Sequence, residues 1–208
     1  MGVSAKSFLL GAGIGVASVL VLLQTWGSYL DRSTIEAAQP HVTRPLRQYP
    51  TEAYENFARP WFYHSLSPDA ADWKLTPLEG PPTTLGQLKG RVVFLNFWST
   101  SCVPCMEEMP GIAKLSSSLH DARIAFVAVT QDPRTQVDKF LRLNKVGIPL
   151  YLSEQEPPDS FPTTAVPTTY ILAADGELVF MHTGALNWDD NGAKTYLLGL
   201  ASRAQVPR

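Results

Sequence analysis

Residues 91–110, RVVFLNFWSTSCVPCMEEMP, decide the fold. The run opens with seven residues that are mostly apolar, which predicts a central strand covered on both faces. From Cys102 onward the apolar residues fall near helical spacing, which predicts a helix that begins at the CVPC motif. Cys102 and Cys105 are therefore expected where a buried strand gives way to the start of a helix.

This placement suits thiol–disulfide chemistry. A helix amino terminus offers unpaired N–H groups and a partial positive charge, and both favour a thiolate over a thiol. We expect Cys102 to be the attacking nucleophile. Cys105, one turn further along the helix, is expected to resolve the mixed disulfide by attacking the sulfur of Cys102.

The chain has only two cysteines, three positions apart, so any intrachain disulfide is local. Closing so short a loop removes little entropy from the unfolded chain, which favours redox work over structural stabilisation. Half of a zinc site is the main alternative, but no second cysteine or histidine pair exists to complete it. We predict no metal site, since the histidines are scattered singly: His41, His64, His120 and His182.

The rest of the chain alternates strand and helix patterns and then changes to a hairpin pattern. A short leading hairpin is predicted within residues 73–82, and further strands at 123–129 and 148–152. Thr135 is predicted to cap a helix, and residues 168–172 and 177–181 flank a hairpin turn. A last helix is expected behind Asp189 and Asp190. This order predicts an α/β domain.

The amino terminus has the pattern of a membrane helix. Residues 7–26 carry no formal charge, and twenty residues in a helix span roughly 30 Å of hydrocarbon. A cleaved secretory signal is the alternative, but no A-x-A cleavage pattern comes after it, so we favour an uncleaved anchor. Under either interpretation the remainder of the chain is exported. We divide the chain into an anchor (1–30), a proline-containing spacer (31–70) and a catalytic domain (71–208).

The charge pattern excludes one class of partner. Seventeen Lys and Arg residues stand against nineteen Asp and Glu residues, giving a formal net charge of −2. No run of like charges occurs, so nucleic acid is not expected as a partner.

Residues 97–110, together with the lead-in at 88–96, resemble the active-site segment of the TlpA and ResA family of membrane-anchored or periplasmic thioredoxin-like disulfide reductases. The resemblance implies a thioredoxin-like fold, with a mixed central sheet flanked by helices. It also implies a cis peptide bond between Val166 and Pro167, with Pro167 facing Cys102. The main chain of Val166 would then pair with the backbone of a partner.

Two further residues gain roles, and one position departs from the family. The resemblance places Glu108 close to the dithiol, where a buried carboxyl could exchange a proton with Cys105; a solvated glutamate on the helix face is the alternative. Trp98 is expected to contribute to substrate binding; it would pack the loop and would not act as a catalyst. Ser101 stands where the family usually has tryptophan; this difference removes apolar contact surface beside Cys102 and bears on partner choice more than on the chemistry.

Asn96 occupies the place where ordinary thioredoxins carry a buried aspartate. This departure favours the exported branch of the fold and argues against a proton role for Asn96.

The leading hypothesis is a single-pass protein of the inner membrane whose periplasmic domain reduces exported proteins, with apocytochrome c or copper-site assembly proteins as clients. The disulfide between Cys102 and Cys105 would act without another cofactor. A membrane thiol transporter of the DsbD or CcdA type would supply electrons.

Three alternatives remain. A thiol oxidase or isomerase would keep the fold and reverse the flow of electrons. A peroxiredoxin-type peroxidase needs a proline and a threonine where Leu95 and Ser99 stand. A non-enzymatic copper-binding module would depend on His182.

Overall fold

A computed structural model describes residues 66–120 and 122–203. The predicted anchor at residues 1–30 lies outside these ranges, as do residues 31–65 of the predicted spacer. Among the described residues, no helix has the length and apolar character needed to cross a membrane.

Apart from a short helix before the leading hairpin and a 3₁₀ helix after it, which the sequence does not predict, the elements follow the predicted order of a hairpin, two strand–helix units, a strand, a hairpin and a last helix. The helices are α1 (Pro68–Ala71), α2 (Val103–Ser118), α3 (Arg134–Leu143) and α4 (Asn191–Arg203), and a 3₁₀ helix covers Leu85–Leu88. The strands are β1 (Lys74–Pro77), β2 (Thr83–Thr84), β3 (Val92–Phe97), β4 (Ile124–Thr130), β5 (Leu150–Leu152), β6 (Thr168–Leu172) and β7 (Leu178–Thr183).

In the described ranges the strands form one mixed sheet in the order β2-β1-β5-β4-β3-β6-β7. β3, β4 and β5 run parallel, joined by crossovers through α2 and α3, while the other neighbouring pairs are antiparallel. β3 lies between β4 and β6, and all six of its residues are buried. The predicted central strand and the α/β class are confirmed.

Two clusters of buried residues lie on opposite faces of the sheet, as the alternation along β3 requires. Phe94 and Trp98 belong to the first cluster, which also contains buried residues of α2, α3 and α4. Leu95 and Phe97 belong to the second cluster, which α1 and the 3₁₀ helix help to cover. Both cysteines belong to the first cluster. The loop between β3 and α2, residues 98–102, is called the redox loop below; it therefore lies on the first face of the sheet.

The start of α3 differs from the prediction. The sequence predicts a cap at Thr135, but the helix begins at Arg134 and Pro133 occupies the cap position without a side-chain cap bond. The carbonyl of Pro133 accepts from the N–H groups of Gln136 and Val137. A proline suits this position because its fixed φ and missing N–H cost nothing before the first turn.

Residues 66–70, which the sequence assigns to the spacer, make contacts with the catalytic domain. Leu66 donates its N–H to the carbonyl of Gly176 at 3.2 Å, and the hydroxyls of Ser67 and Ser160 lie 2.8 Å apart. Ala70 is fully buried. Packing against the domain thus extends to Leu66.

Candidate active site

Cys102 and Cys105 form a disulfide at the start of α2, with their Cα atoms 5.3 Å apart. Cys102 is the residue that precedes the first helical position, and its Sγ accepts a hydrogen bond from the N–H of Cys105 at 3.1 Å. Cys102 is 9% exposed and Cys105 is fully buried. The cysteine that the helix end stabilises is thus the more exposed of the two.

The loop between β3 and α2 is held by residues that the sequence did not single out. The N–H of Thr100 donates to Oδ2 of Asp132 at 2.6 Å, and Nε2 of Gln136 donates to the Thr100 hydroxyl at 2.6 Å. The Trp98 ring packs against Phe140 of α3. No local pattern predicts the two hydrogen bonds, because their partners lie 32 and 36 residues along the chain.

Glu108 lies inside the protein, with no exposed surface. Its Oε1 accepts from Nδ2 of Asn96 at 2.8 Å. Its Oε2 accepts from the N–H of Leu186 and from Nε1 of Trp188, each at 3.1 Å. The alternative of a solvated glutamate on the helix face is therefore wrong.

Burial raises the pKa of Glu108 to about 7, because a desolvated carboxylate is less stable than the neutral acid. The hydrogen bonds from Leu186, Asn96 and Trp188 oppose this rise in pKa, since each stabilises the charged form. The side chain can thus gain or lose a proton near neutral pH. It also lies one helical turn from Cys105, so the two side chains are on the same face of α2.

Asn96 joins Glu108 to the sheet. Its Nδ2 donates both to Glu108 and to the hydroxyl of Thr169 on β6, at 2.9 Å from the latter. Its Oδ1 is buried and has no hydrogen-bond partner among the described residues, and the same holds for Nε1 of Trp98. His182 of β7 lies directly opposite Thr169 in the strand register.

The peptide bond between Val166 and Pro167 is cis, as predicted. Thr168, the next residue, pairs with Phe97, so the cis peptide and the redox loop leave the sheet at the same edge. The Pro167 carbonyl accepts from the N–H of Gly184 at 2.8 Å. Val166 is 37% exposed, and in residues 66–120 and 122–203 its main chain has no backbone hydrogen bond.

Trp98 and Val166 line a cavity of about 80 Å³ beside this edge. Its other walls come from the second face of the sheet, the end of β4 and the loop at 153–167: Trp73, Phe97, Val129, Thr130, Gln131, Ser153, Glu156, Pro157 and Thr163. The loop is fixed from beneath, because Trp73 donates to the Ser153 hydroxyl and Tyr170 donates to the Pro162 carbonyl, both at 2.9 Å. The structure thus brings together two of the predicted substrate-binding residues.

Metal ligands do not converge in this region. Within the part of the chain that the structure describes, no group of three or more His, Cys, Asp or Glu side chains could hold a metal ion.

The AhpC/TSA family model matches residues 67–181, more than half of the chain. The chain belongs to the AhpC/TSA family. It is 31% identical to the thiol-disulfide oxidoreductase ResA of Halalkalibacterium halodurans over 135 residues, which cover 64% of this chain and 77% of that protein. ResA of Bacillus subtilis is 31% identical over 57% of this chain and 67% of its own length. Within the family, this chain is a ResA-type thioredoxin-like thiol-disulfide oxidoreductase.

Solved structures agree on the fold. A Chlorobium tepidum protein described as the thiol:disulfide interchange protein DsbE superposes with a TM-score of 0.57 at 22% identity, covering 64% of this chain and 94% of that one. StoA of Bacillus subtilis gives a TM-score of 0.52 at 23% identity, covering 59% and 95%. The described domain thus has a thioredoxin-like fold.

Proposed function

We propose that this oxidoreductase is a membrane-anchored reductase of disulfides in exported proteins. The observation that carries the proposal is the arrangement at the start of α2. Cys102, whose sulfur caps the helix, is followed on the same helix by the buried Cys105 and by the buried carboxyl of Glu108. Cys102 acts in the first of two steps, and Cys105 and Glu108 act together in the second.

In the first step the thiolate of Cys102 attacks one sulfur of a client disulfide. A mixed disulfide forms between Cys102 and the client, and the other client sulfur leaves as a thiolate that takes a proton. The N–H of Cys105, 3.1 Å from the Cys102 sulfur, stabilises the thiolate before the attack.

In the second step the thiol of Cys105 loses its proton and attacks the Cys102 sulfur. The client leaves as a dithiol, and the chain is left with the Cys102–Cys105 disulfide; two electrons have passed to the client. The carboxylate of Glu108 takes the Cys105 proton, because it is on the same helix face and its pKa of about 7 lets it accept a proton near neutral pH.

Client binding uses the edge where the cis peptide and the redox loop meet. Val103, the residue after Cys102, and Val166, the residue before the cis peptide, are 58% and 37% exposed, so both offer apolar contact surface to a client. An extended client segment adds as a strand to the free main chain of Val166, with Pro167 keeping the edge open. The cavity lined by Trp98 and Val166 accepts a side chain of that segment.

The reducing direction requires a supply of electrons on the non-cytoplasmic side. We propose that the uncharged segment at residues 7–26 anchors the chain in the inner membrane with the catalytic domain in the periplasm. A membrane thiol transporter of the DsbD or CcdA type would then return the disulfide to the dithiol. Exported proteins that mature through free thiols, such as apocytochrome c or copper-site assembly proteins, are the proposed clients.

Paired cysteine variants test the two steps. We expect Cys102→Ser to abolish reduction of a model disulfide, because the attacking sulfur is lost. We expect Cys105→Ser to accumulate a mixed disulfide through Cys102, seen as a slower band on non-reducing gels. Trapping through Cys105 in the Cys102→Ser variant would contradict the assigned order.

The reduction potential of the full chain tests the direction of electron flow. A value near that of thioredoxin, about −270 mV, supports a reductase. A value near that of a strong oxidant, about −120 mV, would replace the proposal with the oxidase or isomerase alternative.

The match to the AhpC/TSA family keeps a thiol peroxidase as a second candidate. Peroxide turnover that needs Cys102 but survives Cys105→Ser would establish it. We expect none, because Leu95 and Ser99 stand where peroxiredoxins carry their proline and threonine.

A further inference from the structure

Asn96 lies between Glu108 and Thr169, and its Nδ2 donates a hydrogen bond to each of them. Oε1 of Glu108 is 2.8 Å from Nδ2, and Oγ1 of Thr169 is 2.9 Å from it. The other end of the amide, Oδ1, is buried without a partner in the described ranges. A buried acceptor left in this state needs an explanation, because leaving one unpaired costs free energy.

The partners of Glu108 decide where its proton can reside. Oε2 faces the N–H of Leu186 and the indole N–H of Trp188, and both groups can only donate. A proton on Oε2 would meet two donors. The neutral acid must therefore carry its proton on Oε1, pointing at the amide of Asn96.

The observed orientation of Asn96 suits only one protonation state. Its Nδ2 is the right partner for a carboxylate oxygen, but it would oppose an O–H group on Oε1. Turning the amide by about 180° puts Oδ1 in the same place, since the two ends of the group are nearly the same size. Oδ1 can then accept from Glu108 and from Thr169, whose hydroxyl is able to donate or accept.

We propose that the amide of Asn96 turns over whenever Glu108 gains or loses its proton, offering Nδ2 to the carboxylate and Oδ1 to the acid. The cluster keeps the same number of hydrogen bonds in both states, and the unpaired atom changes from Oδ1 to Nδ2. The backbone does not have to move. Asn96 is thus a positioning residue that gives both forms of Glu108 a partner, an inference that rests on the proposed proton exchange between Glu108 and Cys105.

Other charged and titratable groups surround the cluster. His182 faces Thr169 from β7, Cys105 precedes Glu108 on α2, and the exposed pair of Lys114 and Asp189 joins α2 to the segment that carries Trp188. In the oxidised chain Cys105 has no proton to lose. The test therefore uses the oxidised full-length protein, with Glu108→Gln as the control for His182.

Nuclear magnetic resonance can follow the amide and the carboxyl together across a pH titration centred on about 7. We expect the nuclear Overhauser effect between the Nδ2 protons of Asn96 and Hβ of Thr169 to be strong at high pH. It should weaken at low pH with the same midpoint as the carboxyl carbon of Glu108. An effect that stays constant through that midpoint, or that changes equally in Glu108→Gln, would overturn the proposal.

Kinetics provide the second readout. We expect Asn96→Leu, which has a similar volume and no polar atom, to slow the resolution of a Cys102 mixed disulfide about tenfold, the value of one hydrogen bond. Thr169→Val is the matched control, because it removes a partner of Asn96 and leaves the amide facing Glu108; we expect a smaller loss. Equal losses in both variants, with equal losses of melting temperature, would reduce Asn96 to a structural role.

The two proposals fail in different ways. If Glu108→Gln resolves the mixed disulfide at the normal rate, the proton exchange with Cys105 is wrong, whatever the amide does. If that variant is slow but the amide of Asn96 does not respond to pH, only the turnover is wrong.

Discussion

The two faces of the sheet both bury polar side chains, but they complete the hydrogen bonding of those side chains differently. On the second face, Nε1 of Trp73 has the Ser153 hydroxyl as its partner, and the Tyr170 hydroxyl has the Pro162 carbonyl. On the first face, Glu108 has three donors, while Oδ1 of Asn96 and Nε1 of Trp98 have no partner in the described ranges.

The difference separates structure from chemistry. The bonds on the second face tie the loop at 153–167 to the sheet and involve no group that changes charge near neutral pH. On the first face a carboxyl with a pKa of about 7 is held one turn from Cys105. Substitutions on the first face should change how activity depends on pH, and those on the second face should leave that pH dependence unchanged.

Among the substitutions that distinguish the two faces, Glu108→Gln should have the largest effect. Without a base, resolution of the mixed disulfide should slow about 100-fold, within the range usual for a general base. The native rate should rise with pH through about 7, because the carboxylate is the active form, and the variant should lose this rise. Stopped-flow release of client thiol from a Cys102 mixed disulfide measures both.

Glu107→Gln is the matched control, since it removes the same charge from an exposed neighbour on the same helix. If both variants slow equally, the effect is a general loss of negative charge and the buried carboxyl has no special part.

The raised pKa of Glu108 should also make the free energy of unfolding depend on pH. The pKa of Glu108 is raised in the folded chain from 4.5 to about 7, so the folded state holds its proton more tightly than the unfolded state does. The contribution to the free energy of unfolding is complete below pH 4.5 and is lost as the pH rises through 7. The loss is about 3 kcal/mol across this window.

Denaturant unfolding of the oxidised full chain and of Glu108→Gln at a series of pH values measures this loss. The free energy of unfolding of the native chain should fall relative to that of the variant between pH 4.5 and 7. Above pH 7 the difference between the two should stay constant. A constant difference across the series would show that the carboxyl is not desolvated.

Trp188→Phe should have an intermediate effect. It removes the indole N–H from Oε2 of Glu108, a bond that lowers the pKa of this carboxyl. The pKa of Glu108 should therefore rise further, moving the midpoint of the rate profile to higher pH. We expect a loss of about 1–3 kcal/mol in stability as well. An unmoved midpoint would exclude Trp188 from the control of the proton.

Tyr170→Phe should have the smallest effect and the contrasting one. It removes the hydroxyl that donates to Pro162, which should lower the free energy of unfolding by about 1 kcal/mol. The midpoint of the rate profile should stay in place. A shifted midpoint here would break the separation between the two faces.

Sequence patterns were sufficient for the parts of this molecule that depend on neighbours along the chain. The apolar run before Cys102 predicts the buried strand β3, and the hairpin turn near Gly176 predicts β6 and β7. The resemblance to ResA added the cis peptide at Pro167, for which residue preferences alone argue the other way.

The surroundings of Glu108 could not be predicted in the same way. Leu186 and Trp188 lie 78 and 80 residues further along, and only the folded chain brings their N–H groups to the carboxyl. The cavity beside Val166 likewise depends on a loop that is held in place by Trp73, just before β1, and by Tyr170 of β6. At α3 the sequence predicts Thr135 as the cap, but Pro133 occupies the cap position. Its carbonyl accepts the first hydrogen bonds of the helix, so no side-chain cap is needed.

The first turn of α2 is closed by the very atom that reacts, since Sγ of Cys102 occupies the position usually taken by a serine or aspartate oxygen. A serine introduced there can keep the turn closed, whereas an alanine cannot. Comparing Cys102→Ser with Cys102→Ala would therefore separate the role of this side chain as a helix cap from its role as a nucleophile.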